Sequence, residues 1–214
     1  MSRRSLAMFL CATLAALAFS APAQARKVVL GDITKRVDLG SLVPLLKNGE
    51  VSLVESYANG ELKEVTVFGL VNAPQAKVWA VLTDYGHYPE FMPNVASLEV
   101  VSKDGDDAVL AYELEVPGSN LSYRLRHHHL PAQFRLEVSL ADDEGDIETG
   151  AWRWDLVPYA GGAQTIVVYT LYTDVRESSW IIRQVLKDQP SMEHGLNVST
   201  GLISVGAIKK KAEK

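Results

Sequence analysis

From Val51 onward, hydrophobic positions recur mostly at every second residue, and they take up a helical period in a short stretch after Val71 and again near the end. The runs VSLVESY and KEVTVFGLV flank Ala58-Asn59-Gly60-Glu61, and Asn-Gly between two alternating runs is a hairpin signal. Further alternating runs cover Val95–Val101, Ala108–Val116, Leu121–Leu130, Gln133–Leu140, Gly150–Val157 and Thr165–Asp174. The stretches between them are too short for crossovers, so the strands must form an antiparallel meander.

Alternation also sorts the side chains by face. Ala108, Leu110, Tyr112, Leu114 and Val116 oppose Glu113 and Glu115. Leu121, Tyr123, Leu125, His127 and His129 oppose Ser122, Arg124, Arg126 and His128. Phe134, Leu136, Val138 and Leu140 oppose Gln133, Arg135 and Glu137, while Trp152, Trp154 and Leu156 oppose Arg153 and Asp155. One apolar and one charged face predict a sheet covered on one side, around a single interior.

Two helical regions interrupt or follow the strands. After the strand ending near Val71, Asn72 is placed to cap a helix whose first turn holds Pro74. That helix puts Val78, Val81 and Leu82 on one face with Trp79 at its edge, and it stops near Asp84-Tyr85-Gly86. A short aromatic turn (Tyr85, Tyr88, Phe91, Met92) leads to Pro93. From Ser178, Trp180, Ile181, Val185 and Leu186 form a helical stripe. Asp188 can cap a segment from Pro190 through Leu196, Leu202, Ile203, Val205 and Ile208. Pro190 breaks the helical run, and the small residues Gly195, Ser199 and Gly206 leave room beside it.

The motif formed by Ala73-Pro74, Val78-Trp79, Leu82, Asp84-Tyr85, Tyr88-Pro89 and Phe91-Met92-Pro93 resembles the opening of the START-like (SRPBCC) helix-grip superfamily. The resemblance is to its polyketide cyclase/dehydrase and coenzyme Q-binding branch, and it covers about residues 50–210. It implies an α+β fold, with a curved antiparallel sheet of about seven strands around a long C-terminal helix and two short helices after the first strands. It also implies an internal apolar cavity. Its expected lining is Leu82, Tyr85, Tyr88, Phe91, Met92, Tyr112, Leu114, Tyr123, His127, His129, Phe134, Trp152, Trp154, Tyr169, Ile182 and Leu186. An apolar pocket with a few polar groups suits a lipid, sterol, quinone or other isoprenoid.

The N-terminal end reads differently. Arg3 and Arg4 precede an uncharged run from Leu6 to Phe19 and then Ala23-Gln24-Ala25, the parts of a secretory signal peptide cleaved after Ala25. The 14-residue run is too short to span a bilayer as an untilted helix. The sole cysteine, Cys11, lies inside it, so a periplasmic or secreted mature chain would rely on its core and not on disulfides. Residues 26–49 read as a leader with one short helical turn, and 50–214 as a single helix-grip domain.

Formal charge is −5, with no basic face of the kind nucleic acid needs. The tail Lys209-Lys210-Lys211 is a candidate contact for anionic lipid, or a solvated helix end favoured by the helix dipole. His127-His128-His129 offers at most two same-face ligands, fewer than zinc requires. The acidic group Asp142, Asp143, Glu144, Asp146 and Glu148 lacks calcium-loop spacing and reads as a hairpin tip. Asn197-Val198-Ser199 falls on an expected helix, which makes that glycosylation signal accidental. No nucleophile motif or phosphate loop occurs, so the sequence calls for no metal and no cofactor. The expectation is a monomeric binder of a hydrophobic small molecule. The rival is a cyclase or dehydratase using His127 or His129 as general base.

Overall fold

The structure, a computed structural model, describes residues 28–116, 119–176 and 180–214. The signal-peptide reading of residues 1–25 and the start of the helical region at Ser178 lie outside the described residues. Eight strands form one antiparallel sheet in the order β1-β2-β8-β7-β6-β5-β4-β3. They are β1 Val51–Ser56, β2 Leu62–Val71, β3 Val95–Asp104, β4 Asp107–Val116, β5 Ser119–Leu130, β6 Arg135–Gly145, β7 Thr149–Tyr159 and β8 Gln164–Asp174. The helices are α1 Leu39–Leu46, α2 Gln75–Leu82, α3 Tyr88–Phe91, α4 Trp180–Asp188 and α5 Met192–Ala212. The expected helix-grip architecture is present, with eight strands where about seven were expected.

Turn chemistry behaves as the residues dictate. Gly60 and Gly105 take positive φ at the β1–β2 and β3–β4 hairpins, where a side chain would be strained. Between β5 and β6, Phe134 adopts a left-handed conformation (φ 49°) and closes the turn through its N–H to the Pro131 carbonyl. The strand therefore begins at Arg135 rather than Gln133. The acidic residues Asp142–Asp146, expected as a hairpin tip, largely extend β6. Tyr123 pairs with Gly145 while Leu125 pairs with Leu140, so β6 bulges between these pairs. The Ser122 N–H donates to Asp146. A Cβ on Gly145 would lie 2.6 Å from the Ser122 carbonyl oxygen, which restricts that position to glycine.

Helix α5 crosses the concave face of the sheet. Gly201, Val205, Ile208 and Ala212 are buried on one side of it, and Gly201 and Gly69 allow close approach to β2. A Cβ on Gly69 would meet Val205 Cγ1 at 2.6 Å. Of the small residues expected to leave room on this helix, Ser199 borders the space between helix and sheet, whereas Gly195 and Gly206 do not, although nothing lies within 4 Å of a Cβ built on either. Gly201 lets the helix seat tightly. Neither expected helix cap forms. Pro74, with extended backbone, takes the N-cap position of α2, and Ser191 that of α5. Asn72 instead accepts from the Gln164 side chain, and its N–H donates to Glu213.

The single-interior expectation is corrected. On the convex face, Phe68 and Leu70 of β2 and Ile166 and Val168 of β8 pack against Ile33, Val43 and Leu46 of the leader, forming a second core. Both faces of β2 and β8 are therefore buried, which explains their nearly unbroken apolar runs. The leader holds a full eight-residue helix, α1, rather than a single turn. It also buries charges expected to be solvated. Arg153 and Asp155 are 6% and 5% exposed. Arg153 bonds to Asp155 at 2.9 Å and to the Gly31 carbonyl at 2.7 Å, and Arg135 bridges Asp155 and Asp32. Burial pushes the Asp32 carboxyl up, but hydrogen bonds from Thr34, Lys35 and Arg135 outweigh it and hold it well below the usual carboxylate range.

Candidate functional site

Between the concave face of β4–β8 and helix α5 lies a cavity of about 790 Å³. The strands contribute the apolar face that alternation put on one side: Tyr112 and Leu114, then Leu121, Tyr123, Leu125 and His127, then Leu136 and Val138, then Trp152 and Trp154. Tyr169 and Thr173 come from β8, Ile182 from α4, and Leu196, Ser199, Thr200, Ile203 and Ser204 from α5. Tyr88, Met92 and Val95 line it near α3. No lining residue among the described residues is an acid, a lysine or an arginine.

Ring packing shapes the wall. Trp154 and Tyr169 stack at 3.8 Å, Tyr112 and Tyr123 at 5.6 Å, and the Trp152 indole N–H donates to Thr173 at 3.0 Å. Burial raises the phenols of Tyr112, Tyr123 and Tyr169 above their ordinary range, so they stay protonated. Asn197 touches the cavity with its polar atoms already used. It accepts from the Thr173 N–H at 2.8 Å and donates to the Thr173 and Glu193 carbonyls, clamping α5 to the end of β8. At 1% exposure on a helix, it cannot serve as a glycan acceptor.

His127 and His129 share a strand face, yet only His127 reaches the cavity. Tyr85, in the turn between α2 and α3, lies over both rings and hydrogen-bonds His127 Nδ1 at 3.1 Å and His129 Nε2 at 2.6 Å. His129 Nδ1 donates to the Asp106 carbonyl at 2.7 Å, and Tyr112 lies 3.2 Å from His127 Nε2. Desolvation, helped by the neighbouring His129, lowers the His127 pKa to about 3. The ring is thus neutral and a weak base.

Tyr88, Met92, Tyr112, Leu114, Tyr123, His127, Trp152, Trp154, Tyr169 and Ile182 line the cavity, as expected. Six other expected positions lie elsewhere. Leu82 is wholly buried in the core beneath. Tyr85 and His129 are occupied with each other behind the wall. Phe134 packs edge-on against Trp79 at 6.0 Å. Phe91 carries Lys211 over its ring at 5.2 Å, and Leu186 is buried away from the cavity. The α5 contribution was missed because Ser199, Thr200 and Ser204 interrupt its apolar pattern, although Leu196, Ser199, Thr200 and Ile203 keep helical spacing.

The lysine tail has partners within the chain: Lys209 pairs with Glu50 at 3.3 Å and Lys211 with Glu90 at 3.8 Å. Among the described residues, no cluster of three or more His, Cys, Asp or Glu side chains is placed to hold a metal ion. No described helix is long and apolar enough to cross a membrane.

Residues 71–191 match the sequence profile of the polyketide cyclase / dehydrase and lipid transport family. The chain belongs to this family. The match runs from the end of β2 to the start of α5, so it contains most of the cavity wall. Among solved structures, the Zhui aromatase/cyclase from a Streptomyces species is 18% identical, with a TM-score of 0.60, covering 70% of this chain and 93% of that one. A STAR-related lipid transfer protein from Xanthomonas axonopodis is 17% identical, with a TM-score of 0.58, covering 78% and 94%. A protein from Thermus thermophilus is 19% identical, with a TM-score of 0.58, covering 70% and 96%. At these identities the likeness is one of fold. Among curated protein sequences, none matches significantly. Members of the family bind hydrophobic ligands, and this chain is a ligand-binding domain of that kind.

Proposed function

We propose that the protein is an exported carrier or sensor that holds a neutral lipid, quinone or other isoprenoid in the cavity between its sheet and α5. The observation that carries this reading is a cavity of about 790 Å³ whose wall is mostly aromatic and aliphatic, with hydroxyl groups from α5 and β8 and, among the described residues, no acid, lysine or arginine. An apolar cavity of about 150 Å³ already admits benzene, and each methylene moved from water into such a site contributes about 0.8 kcal/mol. Export and a periplasmic or secreted location rest on the charged start, the apolar run and the Ala23-Gln24-Ala25 site.

Acid–base catalysis finds less support. His127 is the titratable imidazole in the wall, and burial leaves it too weak a base near neutral pH to remove a proton readily. The test is lipid extraction and native mass spectrometry of protein purified from the periplasm of an exporting host. A bound neutral lipid is expected, with thermal stabilisation that grows with added ligand. Protein that carries nothing, and that lipids and quinones fail to stabilise, would defeat the reading.

A further inference from the structure

The hydrogen-bond chain behind the cavity wall has a direction. The Asp106 carbonyl can only accept, so His129 carries its proton on Nδ1. With His129 neutral, its Nε2 is an acceptor and Tyr85 donates to it. Tyr85, its proton spent, accepts from His127, which places the His127 proton on Nδ1. His127 Nε2 is then an acceptor, and Tyr112 must donate to it. Each step leaves one choice. Tyr112 lines the cavity with its only proton committed to His127, and no described residue donates a hydrogen bond to its oxygen. Tyr123, stacked on Tyr112, has a hydroxyl with no hydrogen-bond partner among the described residues.

We propose that the polar end of the ligand is a neutral hydroxyl, which donates to Tyr112 Oη and accepts from the Tyr123 hydroxyl. The inference rests on the reading of the cavity as a ligand site and narrows it to hydrophobic alcohols and phenols. A carboxylate or phosphate head would be buried without a cation, at high cost. An ether or ketone could still accept from Tyr123 but has no proton for Tyr112, so it makes one hydrogen bond where a hydroxyl makes two. Tyr85 and His129 act as positioning residues, because they fix which way the Tyr112 proton points.

Three probes of equal chain length test this: n-dodecanol, dodecyl methyl ether and dodecanoate. They are titrated by intrinsic tryptophan fluorescence at about pH 8, above the ordinary histidine range. The alcohol should bind about tenfold more tightly than the ether, the equivalent of one hydrogen bond, and dodecanoate should bind worst. Tyr112→Phe should abolish the preference, bringing the alcohol and the ether to the same affinity. Tyr85→Phe lets the His127 proton move to Nε2 and frees the Tyr112 hydroxyl to donate, so the ether should gain on the alcohol. A loss of packing alone would weaken both probes together. Equal binding of alcohol and ether by the wild-type protein overturns the inference without any variant. So does tight binding of dodecanoate, or an alcohol preference that survives in Tyr112→Phe. If the ether binds and the alcohol binds no better, only this inference fails. If none of the three binds, the cavity reading fails with it.

Discussion

Gly201 of α5 lies directly on Val67 of β2: a Cβ at this glycine would stand 2.5 Å from Val67 Cγ2 and 3.1 Å from Leu171 Cδ2. This contact sets how deeply the long helix sits in the sheet, and therefore how much space remains on its other face. Overpacking of this kind costs about 1–3 kcal/mol, against roughly 1 kcal/mol of helix propensity gained when alanine replaces glycine. Gly201→Ala should lower stability to urea by up to about 2 kcal/mol by this difference. Gly206→Ala, with nothing within 4 Å, should raise it by up to about 1 kcal/mol. Equal shifts in the two variants would contradict the seating.

The leader is a structural part of the fold. Leu46, 1% exposed, fills the second core against the convex face. Truncating a buried leucine to alanine removes about 2–5 kcal/mol, so Leu46→Ala should destabilise the whole domain in a single transition. A separate, early transition affecting only the leader would show that it packs independently of the sheet.

How much of this was legible in the sequence follows the physics of each period. Strand alternation put Tyr112, Tyr123, His127, Trp152 and Trp154 on one face, and the structure brings all five to the cavity. The same rule could not separate His127 from His129. Two residues along a strand is about 7 Å, enough to move one ring from the cavity wall to a site under Tyr85. The second core was also written in the chain, since Phe68 and Leu70 are apolar on the face opposite Val65 and Val67. They went unread because the charged outer faces of β4–β6 set the expectation for the whole sheet. The α5 wall could not be read as apolar, because its spacing is helical while half its side chains are hydroxyls.

Asn197 joins α5 to β8 through both Thr173 backbone groups. Removing the amide leaves a buried N–H and carbonyl without their partner, at about 1–3 kcal/mol each. Asn197→Ala should therefore reduce stability by about 3 kcal/mol and speed hydrogen exchange at the Thr173 amide. An unchanged exchange rate there would rule out the clamp.

Acid should weaken the fold through His127. Burial holds its folded-state pKa at about 3, while an exposed histidine binds its proton near 6.5. Between those values the unfolded chain carries a proton that the folded chain refuses, so lowering the pH favours unfolding. The contribution is complete above about pH 6.5 and is lost progressively as the pH falls toward about 3. At about 1.4 kcal/mol per pH unit, the loss near pH 5 is about 2 kcal/mol. His127→Phe keeps an aromatic ring at the cavity wall and removes the titrating group. It should be less stable at pH 7 because Tyr85 and Tyr112 lose a partner, yet lose less further stability on going to pH 5. Urea unfolding of both proteins across that range measures the difference in slope, and parallel slopes would mean that His127 is protonated as readily in the folded protein as in the unfolded chain.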